Sequence, residues 1–189
     1  MEVLAVDRPP APVPTPRRAL AQMLRQAESL SLLLQHSAEQ LLADYVRHQG
    51  DPFSTPSFHP PAPLGLPPPP RPPGGDAERL AGLAAAYAAL PGLLGSVRAQ
   101  QAQLNPGAAE LLRGLEAGAR QARGLAGHIE AVAAELGVAL PGPWVPPDAH
   151  PPANAFGAKV WGYWVCRLHR DWARRAHEDL GLLARRYPL

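Results

Sequence analysis

The sequence predicts an all-α fold, a long-chain four-helix bundle of up-up-down-down topology, and three observations predict it. Apolar residues recur at helical spacing in four long stretches. Two of the three connections are long and rich in proline, while the middle one is short. β-branched residues are few in a chain dominated by Ala, Leu, Gly and Arg, which disfavours sheet.

Residues 1–16 carry Pro9, Pro10, Pro12, Pro14 and Pro16 and read as a flexible arm ahead of a bundle spanning 17–189. The first helix is expected over 17–49. Leu20, Leu24, Ala27, Ser31, Leu34, Ala38, Leu41 and Tyr45 share one face, and Gly50 followed by Asp51-Pro52 stops it. Proline lacks the amide hydrogen and fixes φ, so the proline-dense stretch from Gly50 to Gly75 can be neither helix nor central strand. Phe53 and Phe58 within it are expected to pin the loop onto the core. The second helix is expected over 76–104, with Asp76 as N-cap and Leu80, Leu83, Tyr87, Leu90, Leu94, Val97 and Leu104 inward. Pro91-Gly92 should kink it. Asn105-Pro106-Gly107 makes a tight connection to a third helix over 107–136, with Leu111, Leu115, Ala119, Ala122, Ala126, Ile129 and Ala133 as its stripe. Pro141, Pro143, Pro146, Pro147, Pro151 and Pro152 mark a second crossover. The fourth helix, over 154–187, aligns Trp161, Val165, Leu168, Trp172, Ala176, Leu180, Leu183 and Tyr187.

Connection lengths decide the topology. Helices of about 30 residues are ~45 Å long at 1.5 Å per residue. The first crossover, of about 25 residues, reaches ~75 Å in polyproline geometry, and the second, of about 17, reaches ~50 Å. Each can run the length of a bundle and join parallel helices. The short middle turn cannot, so the second and third helices must be antiparallel. Long, short, long is the up-up-down-down arrangement.

Composition narrows the function classes. A chain of 189 residues suits one bundle domain that needs neither disulfides nor metal for its core. A net charge of +2 is too small to argue for nucleic acid, and no apolar run approaches the ~20 residues of a membrane span. The N-terminus has neither the basic n-region nor the apolar h-region of a signal peptide. Cys166, the single cysteine, rules out an intrachain disulfide and is expected to be buried. No enzyme, cofactor or metal site is expected. The seven histidines form no His-Glu-x-x-His and no pair of Glu-x-x-His motifs, and there is no phosphate-binding glycine loop or Gly-x-Ser-x-Gly. Pro67 to Arg71 approaches the PxxP-plus-arginine pattern without its spacing, so spacer is the better reading. The arginines of the fourth helix read as a solvated face.

One pair is awkward for stability alone. Phe156 and Lys159 lie three residues apart on one side of the first turn of the fourth helix, where the helix dipole disfavours a cation. Contact with a partner is one explanation; a core phenylalanine beside a solvated lysine is the other.

Ala38-Glu39-Gln40-Leu41-Leu42, Tyr45-Val46, Gln49-Gly50-Asp51-Pro52-Phe53 and Pro56-Ser57-Phe58 resemble the cardiotrophins, in the leukaemia-inhibitory-factor branch of the interleukin-6 cytokine family. Leu104-Asn105-Pro106, Ala119-Arg120-Gln121-Ala122-Arg123, Ala158-Lys159-Val160 and Asp179-Leu180-Gly181-Leu182-Leu183-Ala184 through Tyr187 carry the same resemblance. It extends over about residues 20–187, outside the two crossovers. The resemblance implies a monomeric four-helix cytokine, secreted into the extracellular space without a recognisable signal peptide. Such cytokines bridge the family's shared signal-transducing receptor chain and the leukaemia inhibitory factor receptor; a third receptor chain is left open. In that branch a Phe-x-x-Lys motif docks on the latter receptor, and Phe156-Gly157-Ala158-Lys159 matches it. The shared chain is then expected on the outer faces of the first and third helices, at Gln22, Arg25 and Ser29 and at Gly114, Ala117, Gly118 and Gln121. The competing hypothesis is an intracellular helical adaptor that recruits partners through its proline-rich segments.

Overall fold

The structure is a computed structural model that describes residues 15–142 and 151–189. Most of the proline-rich arm, and Pro143, Pro146 and Pro147 of the second crossover, lie outside the described residues. Four α-helices and, among the described residues, no strand make up the fold: α1 Pro16–Gln49, α2 Asp76–Leu104, α3 Ala109–Glu135 and α4 Ala155–Arg186.

Side-chain pairs fix the helix directions. Along α1, Ser31 meets His177, Glu39 meets Arg174 and Tyr45 meets Lys159, so α1 and α4 are antiparallel. Ser37 with Gln121 and Arg47 with Glu110 make α1 and α3 antiparallel. Asp76 with Arg186 and Arg79 with Asp179 do the same for α2 and α4. Gln49 and Gln101 join the C-terminal ends of α1 and α2, which therefore run parallel. Up-up-down-down is the observed topology, with both α1 and α2 packed between α3 and α4.

The apolar stripes account for this packing. All eight residues of the first-helix stripe are buried, as are Leu80, Leu83, Tyr87, Leu90, Leu94 and Val97 of α2. They form two apolar clusters stacked along the bundle, one around Leu24, Leu90, Ile129 and Trp172, the other around Tyr45, Leu94, Leu115 and Trp161. On α3 the inward set also includes Leu125 and Val132, while Ala126 is half-buried at its edge.

Two local expectations are corrected, and a helix stop is met. Gly50 ends α1 at φ +70°, a left-handed backbone in which glycine meets no Cβ penalty, and its amide donates to the Val46 carbonyl. Asp76 is not the cap of α2: Gly75 occupies that position, and Asp76 is the first helical residue, paired with Arg79 and Arg186. An acid there meets the positive end of the helix dipole, a stabilising place that needs no capping geometry. The second correction concerns α2 itself, which by length and composition is apolar enough to cross a membrane. Half of its apolar window is buried inside the bundle, so core packing accounts for much of that character. Helix α2 continues through Pro91.

The first crossover is tied down by aromatics, as expected of Phe53 and Phe58. Phe53 is buried and meets Phe58 edge to face, with ring centroids 5.1 Å apart. Two indoles of α4 hold the rest of the segment. Trp164 donates to the Pro60 carbonyl at 3.2 Å and Trp172 to the Pro68 carbonyl at 3.1 Å. Prolines withdraw backbone donors but leave carbonyls free, so side-chain N–H groups are suitable partners for a proline-rich strap.

Candidate functional site

The start of α4 is held from three sides. Asn154 caps it, its Oδ1 accepting from the Gly157 amide at 2.6 Å. A Cβ at Gly157 would come within 2.8 Å of Pro152 and 2.9 Å of the Asn154 side chain, so glycine is what lets the cap close. Beneath the helix, the buried Tyr45 hydroxyl donates to the Lys159 carbonyl at 2.7 Å. From the crossover, Phe53 packs its ring 6.0 Å from Phe156 and 6.1 Å from Tyr163.

Phe156 is 54 % exposed on this platform. That removes one explanation of the pair: the ring rests partly on Phe53 but presents an apolar surface to solvent, so it is not core. Lys159, one turn further on, is half-buried. Among the described residues no carboxylate lies within ion-pair distance of it. An aromatic anchored on one side therefore sits one turn from a lysine that has no ion-pair partner among the described residues. The neighbouring tryptophans serve the fold. Trp161 is buried, and Trp164 is engaged with Pro60 while the Arg167 guanidinium stacks 4.9 Å from its ring.

The second candidate surface, on α1 and α3, is reached only in part. Gln22, Arg25 and Ser29 are exposed, on the side of α1 opposite its buried stripe. Gly114, Ala117 and Gln121 lie half-buried at the α1–α3 seam. A Cβ at Gly114 would approach Leu41 at 3.2 Å, and the Gln121 amide oxygen accepts from the Ser37 hydroxyl at 2.8 Å. Gly118 is a correction. It is buried, with Leu41, Leu94 and the His169 ring against it, and offers no outer surface. Its position explains why: Gly118 is in helical register with Leu111, Leu115, Ala122 and Leu125, and it is small because His169 fills the space opposite.

Two residues that sequence reasoning passed over are Leu32 and Leu33, exposed at 42 % and 55 %. The run Leu32-Leu33-Leu34 could have revealed them, since three consecutive residues span 200° of a helix and cannot all face one core. Leu33 is in helical register with Gln22 and Ser29 on the exposed side of α1. Of the crossover prolines, Pro60 and Pro67 are buried and the Pro68 carbonyl accepts from Trp172, while Pro56, Pro61, Pro69 and Pro72 are exposed.

No protein-family model matches the chain. Individual relatives do. The chain is 49 % identical over 173 residues to cardiotrophin-1 from Homo sapiens and 45 % identical over 175 residues to cardiotrophin-1 from Mus musculus, covering 87 % of this chain and 86 % of the relative in each case. It is 36 % identical over 177 residues to cardiotrophin-2 from Mus musculus, covering 88 % and 86 %.

Proposed function

The chain belongs to the cardiotrophin family, and so to the interleukin-6-type cytokines, and from that premise we propose that it is a secreted cytokine that bridges two receptor chains. Phe156 and Lys159 at the start of α4 dock on the leukaemia inhibitory factor receptor. The outer edge of α1 and α3, with Gln22, Arg25 and Ser29 on α1 and Gly114, Ala117 and Gln121 along the seam, meets the shared signal-transducing chain. The bundle itself does no chemistry. It holds two surfaces apart at a fixed angle so that two receptor chains are brought together, which starts kinase signalling inside the cell.

The observation that carries the reading is the exposure of Phe156. A large aromatic costs free energy in water, and this one packs at a tilt against Phe53 rather than folding beneath it. The exposed Leu33 supports the second surface in the same way.

The test is the double variant Phe156→Ala with Lys159→Ala, assayed against both receptor ectodomains. Removal of a central anchor typically costs about 2 kcal/mol, or ~30-fold in affinity. That loss is expected for the leukaemia inhibitory factor receptor alone, with the shared-chain affinity and the thermal melt close to native. Native affinity for both receptors would remove the start of α4 from the interface.

A further inference from the structure

We infer that Tyr45 is a positioning residue for the docking surface formed by Phe156 and Lys159, an inference that rests on the receptor reading above. Tyr45 is fully buried near the end of α1, far along the chain from α4, yet its hydroxyl donates to the backbone carbonyl of Lys159 itself. Three residues on, Gly162 lies flat against the phenol, and an added Cβ there would overlap the Tyr45 hydroxyl. The missing side chain and the buried hydroxyl fit one another, so α4 seats on Tyr45 at one height and one rotation.

Tyr45 is in turn held by a buried polar cluster. Gln101 of α2 points its amide nitrogen at the Tyr45 hydroxyl at 3.4 Å, and its oxygen accepts from Gln49 at 2.8 Å and from Asn105 at 2.8 Å. The last turns of α1 and α2 and the first turns of α4 are thereby joined by directed bonds. The surrounding cluster of Leu94, Val97, Leu111 and Trp161 is apolar, and apolar contact is non-directional, so it resists separation of helices more than sliding. Hydrogen bonds in such surroundings specify one arrangement. Phe156 and Lys159 project from the turns that this cluster fixes, and a receptor pocket reads their position.

The experiment compares the full chain carrying Tyr45→Phe with the native chain and with Phe156→Ala plus Lys159→Ala. Tyr45→Phe keeps the ring and removes the hydroxyl, and with it the bond to Lys159 and the weaker contact from Gln101. Expected is a ~2- to 10-fold faster dissociation from the receptor that docks on Phe156 and Lys159, the range set by one hydrogen bond. Affinity for the shared chain stays native, and amide hydrogen exchange accelerates in residues 155–163 but not in α3. A merely structural loss would weaken both receptors together and raise exchange throughout the bundle, which would overturn the inference. Native binding to both receptors would overturn it too. Gln101→Met, which leaves the tyrosine in place, is the second variant and is expected to move the same affinity in the same direction. If the double variant at Phe156 and Lys159 binds normally, the docking reading itself fails and this inference falls with it; if the double variant is weakened and Tyr45→Phe is not, only the positioning role is wrong.

Discussion

His169 is fully buried on α4, between Cys166 of one apolar cluster and Trp172 of the other, and neither ring nitrogen has a hydrogen-bond partner among the described residues. Its Nε2 lies opposite Gly118, which Leu41 and Leu94 also approach. Such a site tolerates neutral imidazole and rejects the cation, and burial lowers its pKa from 6.5 to about 4. The unfolded chain therefore binds more protons than the folded one between those values, so stability rises with pH across that window. The contribution is complete above the unfolded value and disappears as pH falls through about 4. We expect the native chain to lose roughly 3 kcal/mol to this one group on acidification from pH 7 to 4. His169→Met should remove that part of the slope, measured as urea midpoints at several pH values; identical acid slopes for variant and native chain would refute the account. None of this was legible in the sequence, where His169 is one of seven histidines and sits beside the stripe residue Leu168. Periodicity is read from large residues, so the glycine that makes room for His169 looked like surface. Phe156 shows the opposite case: its motif was legible, but only the geometry of Phe53 beneath it decides that the ring faces solvent.

At the scale of elements the sequence was informative wherever a large side chain or a proline carries the signal. The stripe of α1 is buried throughout and that of α4 as far as Leu183, with Tyr187 half-buried just past the helix. Cys166, beside the stripe residue Val165, is buried as expected, which pushes its thiol pKa well up and leaves it inert. The α2 start was not readable to the residue: Gly75 and Asp76 both suit a helix N-terminus, and the choice falls to the pairing of Asp76 with Arg186, a contact across the fold. The path of the first crossover was equally hidden, because it depends on which prolines leave a carbonyl facing an indole. Trp172→Phe tests that tie. It removes the bond to Pro68 and part of the ring area, and should lower stability by about 1–2 kcal/mol. The denaturant midpoint should fall with little change in slope, since the bundle still unfolds as one unit. A midpoint equal to the native one would mean that the crossover is held by Phe53 and Trp164 alone.

The whole molecule is pinned at both poles by polar groups, with the two apolar clusters stacked between them. One pole is the Tyr45–Gln101 cluster; the other is an ion-pair group joining the start of α2 to the end of α4. There Arg79 donates to Asp179 at 2.6 Å, with Arg175 4.0 Å from the same carboxylate and Arg186 paired to Asp76. The crossover lengths predicted that these two helices run antiparallel, yet no spacing rule could name the pair, which is 100 positions apart in the chain. Asp179 is only 3 % exposed. Burial raises its pKa, and the hydrogen bond and charge of Arg79 pull it only part of the way back. A buried charge that loses its partner is costly, so Arg79→Met should destabilise the fold by about 3–5 kcal/mol at neutral pH. Without Arg79 the pKa of Asp179 rises further. The protonated acid is the form the site accepts, so the deficit relative to the native chain should shrink as pH falls. Combining Arg79→Met with Asp179→Leu removes both charges and should recover much of the loss. Equilibrium unfolding of the two single variants and the double variant at neutral and acid pH measures all three quantities. If Arg79→Met costs less than about 0.5 kcal/mol, as an exposed ion pair would, then the pole is held by apolar contact and the carboxylate is better hydrated than its burial implies.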